Sequence, residues 1–225
     1  AMSVMSLIFG TIFAISLALI INEIRNGLLK KTVQTISYLP HFLSMGICAN
    51  LFIQILGRRG LINGFLQEIH LLDRPFPFLE TEQLFWIIMT IQIVWKEVGW
   101  NAIIYLAAIA GISEEVYEAA KMDGAGRLQC IFHVTLPGIA PTVIILAIMD
   151  IAKIFNGGFE QQLLMFNPNV MDYAEVINTY VYKRGMGAAE FSYATAVGVF
   201  QSVISILLLV IVNRIARKFS EVSLW

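Results

Sequence analysis

Five stretches of the chain are each apolar enough to cross a lipid bilayer: roughly Met2–Ile21, Ile36–Leu56, Leu84–Ile112, Ile139–Phe155 and Phe191–Val212. A spanning helix needs about 20 mostly apolar residues, and in lipid a helix satisfies its backbone hydrogen bonds within its own segment. The chain therefore reads as an all-α, multi-pass membrane protein, in contact with lipid along most of its length. Composition agrees, with 58% hydrophobic residues, 14% charged ones and a mean hydropathy of +0.74. The first stretch has no basic residue before it and no small-residue cleavage site before Asn22-Glu23, so it reads as a retained span and not a signal peptide.

The formal net charge of −1 leaves no basic footprint for nucleic acid, which is excluded as a partner. Cys48 and Cys130 lie in unlike surroundings and His41, His70 and His133 are scattered, so no disulfide framework, Cys-based metal site or catalytic metal cluster is expected. The sequence has no HExxH, no glycine-rich nucleotide loop and no GxSxG elbow. Catalytic residues are accordingly assigned to none of the chain.

Basic residues orient the spans, because cytoplasmic loops collect Lys and Arg. Arg25, Lys30, Lys31, Lys121, Arg127, Arg214, Arg217 and Lys218 fall on one side by alternation, against Arg58, Arg59, Arg74, Lys183 and Arg184 on the other. The richer side is assigned to the cytoplasm. The first residue then lies outside, and a further span is expected before it.

The cytoplasmic side carries an unusual polar segment, residues 113–137. Ser113 is placed to cap a helix whose first turn holds Glu114 and Glu115, facing the positive end of the helix dipole. That helix is expected to run to about Asp123 and stop at Gly124. Val116, Ala119, Ala120 and Asp123 then share one face of small and apolar residues. A second helical stretch, Arg127 to Val134, is expected to end at Leu136-Pro137 before the fourth span. Spacing alone equally suits an ordinary capped connector.

The complete string "YEAAKMDGAGRLQCIFHVTLP" resembles the EAA signature of ABC-importer permeases: Glu118-Ala119-Ala120, Asp123-Gly124-Ala125, then Leu136-Pro137. "VQTISYLPHF", "WKEVGWNAIIYLAAIAGI", "FSYATAVGVF" and the closing "LW" are similar to the maltose-type, binding-protein-dependent branch that imports oligosaccharides and polysaccharide fragments. The resemblance covers essentially the whole chain, 1–225, as one transmembrane permease domain. It implies a type I permease core of six helices, of which five are visible here, in the bacterial cytoplasmic (inner) membrane. It also implies that Glu118, Ala119, Ala120, Asp123 and Gly124 belong to a coupling helix docked on a separate ATPase subunit. Implied partners are a second permease, an ATP-binding cassette ATPase dimer that binds ATP and Mg, an extracytoplasmic solute-binding protein and a carbohydrate. The permease itself would hold no cofactor and catalyse nothing.

Charged groups at mid-membrane depth are costly and pair or line a water-filled path. Lys96 and Glu97 on the third span, with Asp150, Lys153 and Asn156 on the fourth, are the candidates. Glu97, Trp100 and Asn101 share one helical face, and Asp150 and Lys153 another. In maltose-type permeases the sugar-contacting positions fall in the windows that hold "WKEVGWN" and "DIAKIFN" here. Two readings stay open: a sugar path in which Trp100 stacks on a ring, or an ion-pair network that fixes helix register. Alternative functions are a permease for peptides or amino acids, an ion-coupled carrier using the same charges, and an intramembrane enzyme using Glu97 or Asp150.

Overall fold

In a computed structural model the described residues are 2–155 and 157–219; Asn156 and the closing "LW" lie outside them. All regular structure among the described residues is helical. Among the described residues four helices are long and apolar enough to cross a membrane, or five if one bent pair is counted as a span. The first is α1 (Met2–Glu23), and Asn26 caps the next, α2 (Gly27–Tyr38), by accepting from the Leu28 and Leu29 N–H groups at 3.0 and 3.2 Å.

The second apolar stretch is not one straight span. A 3₁₀ turn, Leu39–Phe42, follows α2, and a new helix α3 (Met45–Leu56) starts under the Ser44 cap. The helical runs Gly27–Phe42 and Met45–Glu68 are bent by 101°. Pro40 has no N–H to continue the ladder, and the Ser44 hydroxyl offers the next orphan donors an acceptor. The amphipathic piece beyond it is α4 (Leu61–Glu68).

The third span is α5 (Glu82–Ala110), followed by α6 (Glu114–Met122). The expected proline stop at Leu136-Pro137 is overturned. A turn of α7 (Arg127–Cys130) runs through a π-helical segment, Ile131–Thr135, straight into α8 (Leu136–Ala152). The Leu136 N–H donates to Ile131 O, five residues back, and this wider turn brings Pro137 into the helix start of α8, where a missing N–H is tolerated. The fourth span therefore comprises Arg127–Ala152, and begins well before Ile139.

After α8 the segment up to Glu190 is not a plain connecting loop. It folds into α9 (Phe159–Met165), α10 (Met171–Ala174) and α11 (Ile177–Tyr182), and α12 (Phe191–Phe219) completes the spans. Apolar side chains of α1 (Ile8, Phe9, Ile12, Phe13) and α12 (Val199, Phe200, Val203, Ile206) face outward. In a bilayer this needs no cover, because lipid tails are as apolar as they are.

The chain divides into two compact units. The first comprises Ala1–Ser6, Phe42–Lys96 and Lys153–Ile206. Its core joins Ala49, Phe85, Met89, Met165, Val170 and Ala174. Buried Gln161 fastens α9 to α5 by donating to Met89 O and Gln92 Oε1, each at 2.8 Å. The Trp86 indole donates to Tyr173 O at 3.0 Å. Arg58 grips both Glu80 oxygens, at 2.7 and 2.6 Å, and Asn169 donates to the same carboxylate at 3.1 Å.

The Arg58 hydrogen bond, more than its charge, holds the Glu80 carboxyl below its ordinary value of 4.5. A carboxylate depressed in the folded state contributes stability above its unfolded pKa and loses it as pH falls through the folded one. Hydrogen exchange around 78–81 should therefore quicken as pH drops below the usual carboxylate range, after correction for intrinsic exchange. Arg58→Gln should flatten that dependence and quicken exchange at neutral pH by the same small amount, because a solvent-screened pair contributes little.

The second unit comprises Leu7–His41, Glu97–Ala152 and Leu207–Trp225. Ala14 and Ala18 of α1 pack on Ala102, Tyr105 and Ile109 of α5 and on Ile139 of α8. Small residues at these positions let the helices approach closely. Among the glycines of this unit the closest packing is at Gly99 of α5, where an added Cβ would clash with Ser37 O of α2.

Candidate functional site

The polar segment is built as its residues demand. The Ser113 hydroxyl accepts from the Glu115 N–H at 3.3 Å, and Glu114 and Glu115 occupy the first turn of α6. At the other end Gly124 adopts φ +83°. The Ala125 N–H returns to Ala120 O at 2.9 Å and the Gly124 N–H to Lys121 O at 3.0 Å. This pair of bonds is a Schellman stop, and a glycine in the left-handed region is what lets the chain make it.

One side chain ties α6 to the spans. The Tyr117 hydroxyl bonds the Thr135 hydroxyl at 2.9 Å, at the π turn where Thr135 is buried. The rest of α6 stands clear: Val116, Glu118, Ala119 and Asp123 are exposed, and Met122 is 87% exposed. Leu128, at 70%, continues the apolar edge into α7. Met122 and Leu128 were not on the face expected from Val116, Ala119, Ala120 and Asp123. The helical repeat placed them elsewhere, and only the turn at Gly124 shows that they are presented. Glu118 and Lys121 border a cleft of about 640 Å³ that also takes in Asn22, Arg25 and Arg127. The helix thus offers small and apolar side chains beside a wall of mixed charge.

Tyr117→Phe removes the hydroxyl pair and is expected to cost about 1 kcal/mol, the net value of one hydrogen bond. The α6 segment should then exchange its amides faster in hydrogen-exchange measurements, while α5 and α8 keep their protection.

Within the second unit Glu97 and Trp100 are brought together by a third residue. His41, in the 3₁₀ turn after α2, places Nδ1 2.7 Å from Glu97 Oε2. Its ring lies flat on the Trp100 indole, with centroids 4.4 Å apart and planes within 6°. His41 is thus internally bonded. Its partners lie 56 and 59 residues away, beyond the reach of any local periodicity. Asn101 follows Trp100 half-buried, and Asp150 near the end of α8 is exposed. In the other unit Lys96 is buried and Lys153 exposed.

Long apolar helices, with the capped α6 between two of them, make this a polytopic membrane protein. Residues 8–221 match the family described as "Binding-protein-dependent transport system inner membrane component", and the chain belongs to that family. It is 42% identical over 212 residues to the polygalacturonan/rhamnogalacturonan transport system permease protein YteP of Bacillus subtilis (strain 168), covering 94% of this chain and 65% of YteP. The chain therefore spans just under two thirds of that relative's length. A bacterial alginate ABC transporter in complex with alginate pentasaccharide-bound periplasmic protein contains a similar chain, with TM-score 0.93 and 39% identity over 99% of this chain and 77% of that one. A bacterial ABC transporter involved in the import of the acidic polysaccharide alginate gives TM-score 0.92 at 39% identity, covering 97% and 76%. The fold is that of a type I ABC-importer permease, and the chain is a multi-pass inner membrane component.

Proposed function

We propose that the chain is a permease subunit of an ATP-driven importer of oligosaccharides with acidic sugar units. The observation that carries this reading is α6: a capped, Schellman-terminated helix, anchored by Tyr117 and otherwise presenting Val116, Ala119 and Met122 outward. Such a surface suits a cleft in a partner, here an ATP-binding cassette ATPase dimer that binds ATP and Mg and supplies all hydrolysis. The substrate class follows from the relatives, described as permeases or importers for polygalacturonan, rhamnogalacturonan and alginate. A second permease subunit would close the path, and a solute-binding protein would deliver the sugar from outside.

In this reading Glu97, Trp100, Asn101 and Asp150 line the part of the path that belongs to the second unit. Lys96, Lys153 and Asn156 are proposed path residues of the remainder, Asn156 on its sequence position alone. The half-exposed hydrogen bond between His41 and Glu97 in a spanning bundle supports this, since polar groups facing lipid are costlier than ones facing water or a partner. The permease positions and admits the sugar; its conformational change is alternating access, driven from α6.

The test is uptake of a labelled oligogalacturonide into vesicles holding the complete complex with its binding protein. Uptake that needs internal ATP and the binding protein is expected. Uptake driven by an ion gradient without ATP would replace this reading with an ion-coupled carrier.

A further inference from the structure

We infer that the turn from α3 into α4 is a binding site for an anionic phospholipid, with the phosphate held by Arg59 and an acyl chain laid in the adjoining groove. The inference goes beyond the importer reading and needs only that the chain crosses a bilayer.

The surface is built the wrong way round for water. Leu61, Ile62 and Phe65 of α4 and Ile69 just after it are exposed, Leu61 at 75% and Phe65 at 61%, whereas the polar Asn63 of the same helix is buried. The Asn63 amide donates to Gly57 O and Phe76 O, each at 2.9 Å, and accepts from the Phe76 N–H at 2.8 Å. These three bonds fix which way α4 faces, since turning it over would strip a buried amide of its partners. A helix held with its apolar side outward is stable where that side meets lipid, at the boundary of headgroups and acyl chains.

Charge sets the place of the headgroup. Arg58 and Arg59 stand side by side after α3, and Arg58 is occupied by both Glu80 oxygens. Arg59 is exposed and, among the described residues, has no acidic partner. It borders an open groove of about 650 Å³ whose apolar wall is Leu51, Ile53 and Ile55 of α3 with Leu61 of α4. Arg59 is the only charged residue on that lining. A guanidinium stays charged in proteins, and its fork matches phosphate oxygens. The groove is continuous with the exposed apolar side of α3, at Ile47, Leu51 and Ile53, within the bent span. A cation joined to such a groove fits a molecule that carries phosphate and hydrocarbon together. An acidic sugar or a free phosphate would meet Arg59 but leave the apolar wall uncovered. The Lys and Arg count assigns this turn to the outer side, so the lipid belongs to the outer leaflet.

The experiment uses the chain with the subunits that co-purify with it, in phosphatidylcholine nanodiscs doped with a phosphatidylglycerol whose acyl chain carries a diazirine. Adducts located by peptide mass spectrometry are expected within residues 51–65. Unlabelled phosphatidylglycerol in the bilayer should suppress them, and inorganic phosphate in the buffer should not. Arg59→Gln should lower their yield about fivefold, the scale of one arginine at an anionic lipid surface. Arg74→Gln, at an exposed arginine outside the groove, should leave it unchanged. A phosphatidylcholine with the same diazirine should give no more adduct than Arg59→Gln does. No adduct in this stretch, equal yields for the two lipids, unchanged yield in Arg59→Gln, or displacement by inorganic phosphate overturns the inference. Benzoylphenylalanine in place of Phe65 should link to lipid, and a link to a second protein would overturn the inference as well. The comparison of the two lipids needs no variant, so it decides if Arg59→Gln fails to assemble.

Discussion

Gly99→Ala is expected to abolish accumulation of correctly folded protein. The added Cβ would sit 1.9 Å from Ser37 O, 2.4 Å from Ser37 C and 3.0 Å from Tyr38 N, all of them backbone atoms that no rotamer change can move aside. Overpacking by one methyl costs about 1–3 kcal/mol where side chains can yield, and here α2 itself must shift. The displaced helix leads directly into the turn that holds His41, so the Glu97 and Trp100 contacts would be lost with the crossing. Detergent extraction followed by size-exclusion profiles should show aggregated or degraded variant. Gly10→Ala, where nothing lies within 4 Å of the new Cβ, should match wild type. A monodisperse Gly99→Ala protein with wild-type thermal stability would show that α2 and α5 do not cross as described.

The second large effect is expected at Gly124, and there it should fall on coupling and not on folding. Nothing lies within 4 Å of a Cβ added at this position, so space is not the constraint. The constraint is φ +83°, a region that β-branched residues avoid at about 1–2 kcal/mol. Gly124→Val should open the Schellman stop, let α6 run on or fray, and misplace Met122 and Leu128. Insertion and extraction should stay normal while ATP-driven uptake falls at least about tenfold, since 1.4 kcal/mol lost from docking is already a factor of ten. Gly124→Asn, which tolerates the left-handed region, should retain most of the uptake. Equal uptake in the valine and asparagine variants would remove the turn from the coupling mechanism.

How far the sequence disclosed this structure depended on the range of the interactions involved. Ser113, Gly124, the limits of α1 and α5 and the start of α12 were legible because caps, left-handed glycine and apolar length act within a few residues; α12 runs on past the expected Val212 to Phe219. The bend at Pro40 to Ser44 was marked by both a proline and a capping serine, but the apolar run continues across them and masked the break. Pro137 misled in the opposite sense. A proline ends a regular helix, yet the π turn at Ile131–Thr135 widens the ladder and admits it, and that turn is fixed by Thr135 being buried and bonded to Tyr117. The short helices α9 to α11 escaped notice because their order comes from buried amides such as Gln161 reaching α5, not from their own periodicity. The partners of His41 were missed for the same reason: they are set by a helix crossing that only Gly99, read with Ser37, would have signalled.

The most direct test of the account is disulfide crosslinking from α6 in the assembled transporter. A cysteine at Met122, the most exposed apolar side chain of that helix, should crosslink to cysteines placed in the cleft of the cognate ATPase subunit. The yield should change between nucleotide-free and ATP-bound complexes. A cysteine at Ile8, on the outward apolar face of α1, should give none. Met122→Cys that stays fully open to a water-soluble thiol reagent in an ATP-hydrolysing complex, with no crosslink in either state, would contradict the assignment of α6 as the coupling element.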